Sequence, residues 1–150
     1  MNIKIVIDKK YKEMEIHVCH NQADRSVSKI VADLNCLYEE QLVGMDSRGN
    51  KCFLAAGKVS RIFAQKQKVY AVAENQTYEL PRKLYELEKE LDAATFIRIS
   101  RSEIINMRRI KMVDMNTMGT IRVIMQDGAE TYTSRRNVTR LKKALEGEIR

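Results

Sequence analysis

From Leu42 onward, apolar residues come in short runs closed by turn chemistry, and that pattern points to a mostly β fold. Ser47–Asn50 (SRGN) separates LVGM from KCFLAA, and Ala73–Asn75 (AEN) precedes the run Thr77–Leu80. Asp127-Gly128 joins IRVIMQ to ETYT, and this dipeptide suits the left-handed residues of a tight hairpin. Val59–Phe63, Val69–Ala73, FIRIS, EIINM and IKMVDM are further segments of strand length. Two helical patterns interrupt them. One starts at Pro81 and runs through RKLYELEKEL, with Leu84, Leu87 and Leu91 on one face. The other spans Arg135 to Glu146, capped by Ser134, and buries Val138, Leu141 and Leu145.

Residues 1–41 are built differently. Ile3, Ile5 and Ile7 alternate with polar neighbours, as do Met14, Ile16 and Val18, which predicts two half-buried strands. Val27, Ile30, Val31, Leu34, Leu37 and Tyr38 then fall on one helical face, with Asp24 or Ser26 as the cap. The expected organisation is a ββα extension over 1–41, a dimerisation or regulatory element, and a mostly β (α+β overall) domain over 42–150.

Charge is distributed unevenly between these parts. The chain carries +7, but residues 1–46 hold 6 Lys/Arg against 8 Asp/Glu, a net −2, which leaves +9 on residues 47–150. A basic excess of this size on one domain favours an anionic partner such as nucleic acid or a membrane surface. No apolar run reaches the roughly 20 residues of a membrane span, and the start alternates too regularly for a signal peptide, so a cytoplasmic location is expected. Cys19, Cys36 and Cys52 form no CxxC pair. His17, Cys19 and His20 are read as a strand with a buried Cys and surface His rather than as metal ligands, so no metal or cofactor is expected.

The segment FIRISRSEIINMRRIKMVDM, followed by TIRVIMQDGAETYTSRRNVTRLKKAL, resembles the LytTR DNA-binding domain of bacterial transcription regulators. The resemblance begins near Leu42, takes in IFAQKQKVYAV and the LYELEKEL helix, and strengthens toward the C-terminus. It implies about ten short strands with two short helices, and loops rather than a recognition helix entering the DNA. By the same resemblance, one contact group is Lys66, Gln67 and Lys68, a second is Ser100 and Arg101, and a third is Arg136. Many members carry Asn or Lys where this chain has Arg101, and His near Gln67, which alters the preferred bases rather than the location of the surface. Standalone members are often held in check by an inhibitory membrane protein, and that partner is implied here as well.

The chemistry of these residues points the same way. Arg135 and Arg136 sit at a helix start, where free backbone N–H groups favour a phosphate. Arginine can fork to guanine O6 and N7, worth about 1–3 kcal/mol against a wrong base. Lys66 and Lys68 are expected to share a side and to suit phosphates. Blander readings compete at other positions. Arg98 serves equally as a phosphate contact or as cover for the sheet. Arg108 and Arg109 suit a solvated turn, and Asn106 a structural hydrogen bond. Arg140, Lys142 and Lys143 suit the helix dipole.

The resulting expectation is a non-catalytic, sequence-specific binder of double-stranded DNA that regulates transcription, a homodimer on two half-sites, with no small-molecule substrate. The 41 residues before the domain are too few for a receiver domain. A protein-interaction adaptor offering the same basic face to an acidic partner is the alternative. An enzyme is disfavoured, because Glu86, Glu88 and Glu90 alternate along a helix and so do not converge on one site, and no P-loop, zincin or Ser/His/Asp motif appears.

Overall fold

The computed structural model describes residues 4–12, 14–22, 24–116 and 118–148, and of residues 35–38 and 148 the backbone alone. Two compact units result, residues 1–38 and residues 39–150.

Among its described residues the first unit contains one helix, α1 (Arg25–Tyr38). Asp24 caps it: its Oδ1 accepts from the Ser26 and Val27 backbone N–H groups at 2.9 and 3.1 Å. Hydrogen bonding by Ser26 and Val27 holds the Asp24 carboxyl below its ordinary pKa. The two strands expected before this helix are a correction. The described residues 4–12 and 14–22 form none, and Ile5 and Ile7 are 81% and 95% exposed. Alternation alone does not make a strand where no neighbouring ladder accepts the backbone. Ile3 lies outside the described residues, as do the side chains of Leu37 and Tyr38.

The second unit is mostly β. Its larger sheet has seven strands, β1 (Gln41–Met45), β2 (Lys51–Ala55), β3 (Val59–Gln65), β4 (Lys68–Ala73), β5 (Gln76–Leu80), β6 (Phe96–Ser100) and β7 (Glu103–Asn106). Their order is β2-β1-β5-β4-β3-β7-β6, antiparallel throughout. A second sheet, ordered β10-β9-β8, is built from β8 (Ile110–Asp114), β9 (Arg122–Met125) and β10 (Glu130–Tyr132). Helix α2 (Leu84–Glu90) follows β5, and α3 (Val138–Glu148) closes the described chain.

Two cores result. Leu84, Leu87 and Leu91 bury against Leu42, Leu54, Val59, Ile62, Ala71 and Ile104, one face of the large sheet. Ile97, Ile99 and Ile105 pack with Ile121, Val123, Met125 and Leu141, joining the opposite side of β6–β7 to the second sheet and α3. Asn106, fully buried, donates from Nδ2 to the Val59 carbonyl at 2.8 Å and accepts from the Arg108 N–H at 2.9 Å. This is the structural role its position suggested.

Helix boundaries moved from the sequence expectation. Pro81 precedes α2 rather than opening it, and the Glu86 carboxylate takes the Lys83 N–H at 2.9 Å instead. Arg135–Asn137 form a short 3-10 turn before α3 begins at Val138.

Candidate nucleic-acid interface

One cross-strand row organises the candidate site. Lys51 pairs with Met45, Met45 with Glu79, Glu79 with Tyr70, Tyr70 with Phe63, Phe63 with Glu103 and Glu103 with Ser100. The row crosses the whole large sheet, and the turns just beyond it therefore share one end of that sheet. Those turns are residues 46–50, 66–67 and 101–102.

The β3–β4 turn has only Lys66 and Gln67, with φ of 49° and 65°. Two positive φ values match the twist of a tight hairpin, a geometry that favours Asn-Gly over long side chains. Both side chains are exposed. The turn at Glu74-Asn75, at the opposite end of β4, has the same left-handed pair (φ 50° and 63°). Strain alone therefore does not single out the Lys66-Gln67 end.

Arg98 holds the β6–β7 turn. Its Nε donates to the Ser100 carbonyl at 2.7 Å, and its Nη2 donates to the Arg101 carbonyl. The Ser102 N–H reaches Ser100 Oγ at 3.2 Å, and the Ser102 carbonyl accepts from the Ala64 N–H at 2.8 Å. Both roles considered for Arg98 are superseded, because its guanidinium is half-buried and braces the loop that carries Arg101. Glu88 fixes that brace, accepting from Arg98 Nη1 at 3.1 Å and from Arg140 Nη1 at 2.9 Å. One carboxylate thus ties α2, β6 and α3 together. Arg140 is an ion-pair partner rather than only a dipole counter-charge.

The third group is docked on the second. The Ser134 N–H donates to the Ile99 carbonyl at 2.8 Å, placing the 3-10 turn against the end of β6. Ser134 does not cap through its hydroxyl; Ser134 Oγ accepts from Asn137 Nδ2 at 2.8 Å, while its carbonyl takes the Asn137 N–H at 2.9 Å. Arg101, Ser134, Arg135 and Arg136 line one open hollow.

The cations at this end differ in availability. Lys66, Arg101, Arg135 and Arg136 are exposed, and among the described residues none of their side chains has a carboxylate partner. Lys68 does have one. Its Nζ lies 3.0 Å from Glu79 Oε2, and this hydrogen bond raises the lysine pKa. Lys66 lies in the turn and Lys68 opens β4, so the spacing of the two lysines is not that of one continuous strand.

A further anchor went unnoticed in the sequence. Glu103 is 9% exposed, with its Oε1 3.1 Å from Arg61 Nη1 and its Oε2 accepting from Thr131 Oγ1. It links the start of β7 to β10 immediately behind the Arg101 turn. The signal was a charged residue directly before the apolar pair Ile104-Ile105. Elsewhere, Arg109 donates to the Gly57 carbonyl at 2.9 Å, so it is not simply solvated. Cys19 is exposed and belongs to no strand, against the expected burial. Among the described residues no group of three His, Cys, Asp or Glu side chains gathers as a metal site, and no helix is long and apolar enough to cross a membrane.

The profile of the LytTr DNA-binding domain matches residues 50–146, about two-thirds of the chain. The chain belongs to the LytTR family. A solved LytTr DNA-binding domain of a putative methyl-accepting/DNA response regulator from Bacillus cereus superposes with a TM-score of 0.67 at 27% identity, covering 71% of this chain and 97% of that one. Uncharacterized HTH-type transcriptional regulators of Staphylococcus aureus strains NCTC 8325 and MRSA252 are 43% identical over 77 residues, 51% of this chain and 52% of each relative. The chain thus spans about half the length of the curated relatives it matches. In this LytTR domain α2 and α3 are separated by five strands, so the two helices do not form a helix-turn-helix pair.

Proposed function

We propose that this LytTR protein is a sequence-specific binder of duplex DNA that regulates transcription. The observation that carries the reading is the gathering of the Lys66-Gln67 turn, the Ser100–Arg101 turn and Ser134–Arg136 at one end of the large sheet, with their cations exposed. Arg101 and Arg136 are the base readers, because a guanidinium can fork to guanine and each stands on a braced backbone. Lys66 and Arg135 take phosphates, and Ser100 and Gln67 supply short polar contacts. Lys68, already held by Glu79, contributes less than Lys66.

The protein acts as a homodimer on two half-sites, since a single domain covers few bases. Support comes from α1, whose Val27, Ile30, Val31 and Leu34 form a partly exposed apolar stripe in a unit with no buried residue among those described.

The test is anisotropy titration of the full chain on a duplex selected from a random pool and on a scrambled duplex. Arg101→Ala and Arg136→Ala each lower affinity for the selected duplex by about 5- to 150-fold, equivalent to about 1–3 kcal/mol, and change the scrambled duplex little. Equal losses on both duplexes would remove the base-reading role. Binding of acidic protein in preference to any duplex would favour the adaptor reading.

A further inference from the structure

The cross-strand row does not stop at the proposed readers. It continues through Tyr70, Glu79 and Met45 to Lys51 on the edge strand β2, and the β1–β2 turn rises immediately beyond it. At roughly 4.8 Å per strand, the row is about 29 Å long, and the centre of the β1–β2 turn lies about 14 Å from that of the Lys66-Gln67 turn. A duplex laid across the readers in the direction of the row would pass the β1–β2 turn within one helical turn of about 34 Å.

The β1–β2 turn is built to hold its tip still. Asp46 Oδ1 accepts from the Arg48 and Asn50 backbone N–H groups at 2.9 and 2.8 Å, and Asp46 Oδ2 accepts from Asn50 Nδ2 at 3.0 Å. Gly49, with φ of +85°, takes the left-handed position and donates its N–H to the Asp46 carbonyl at 3.1 Å. Both oxygens of the turn's one carboxylate are thus occupied within the turn. Arg48 and Lys51 are exposed, and neither side chain has an ion-pair partner among the described residues. Lys58, by contrast, lies just before β3, at the opposite end of the sheet, paired with Glu74 at 3.2 Å.

We infer that Arg48 and Lys51 form a second phosphate-contacting site, on the same sheet end as the readers, that adds affinity and register without reading sequence. The inference rests on the DNA-binding reading above. Each cation neutralising one phosphate steepens the dependence of log affinity on log salt by about 0.9.

The experiment titrates the full chain against the selected and the scrambled duplex between about 50 and 200 mM salt. Arg48→Ala flattens the salt slope by about 0.9, and Arg48→Ala with Lys51→Ala by about 1.8, equally on both duplexes. The sequence selected from a random pool stays the same. Lys58→Ala, which removes the same charge at the other end of the sheet, leaves the slope unchanged. Wild-type slopes in the double variant would overturn the inference while leaving the readers intact. An equal flattening by Lys58→Ala would overturn it as well, by showing an effect of net charge alone. A wild-type chain that binds neither duplex removes both this site and the reading beneath it.

Discussion

At the scale of single residues, the candidate surface depends on half-buried side chains that brace its turns. Arg98 satisfies two carbonyls of the turn carrying Arg101, and Glu88 keeps that guanidinium in place. Removing it leaves those carbonyls to water and frees one face of Glu88. Arg98→Ala is expected to lower stability by about 1–3 kcal/mol. It should also reduce selectivity between the selected and scrambled duplexes, although Arg101 itself is untouched. Thermal unfolding beside anisotropy checks this, and unchanged selectivity would mean the turn does not need its brace. Such supports were hard to see in the sequence. FIRIS shows that Arg98 stands between two apolar residues, but not that its long side chain curls back onto its own turn. Glu88 looked like part of an acidic run because its partners are 10 and 52 residues away.

At the scale of elements, the strands were largely legible and their ends were not. Turn residues such as Asp127-Gly128 and the SRGN stretch mark β-structure strongly, because few residues accept left-handed φ. All ten strands follow from those marks and the alternation between them. The two strands expected before α1 had the same alternation and a turn at Asp8–Tyr11 between them, but no partner ladder among the described residues. The 3-10 turn over Arg135–Asn137 was absorbed into a helix, since 3-10 and α starts share their capping residues. Lys66-Gln67 carries the prediction that belongs at this scale. Replacing it with Asn-Gly relieves the left-handed strain and should stabilise the domain by about 0.5–1 kcal/mol, read as a raised Tm. The same change removes the exposed Lys66 and weakens duplex binding. A gain in stability with undiminished binding would separate this turn from the interface.

At the scale of the whole molecule, the uneven charge and the two-unit organisation bear on assembly. The apolar stripe of α1 requires a cover, and the proposed homodimer supplies it. Ile30→Glu should shift sedimentation of the full chain from dimer to monomer while leaving the second unit folded; a dimer that persists would move the interface elsewhere. The candidate surface was proposed from the sequence through the family resemblance, whereas the β1–β2 turn beside it was not, because one cross-strand row joins residues as distant as Lys51 and Ser100. The most direct measurement is an amide NMR titration of the full chain with the selected duplex. The account predicts coincident shifts at Lys66–Lys68, Ser100–Ser102 and Ser134–Arg136, with the Glu74-Asn75 turn at the far end of β4 unmoved. Shifts centred on Glu74-Asn75, with those three turns silent, would contradict it.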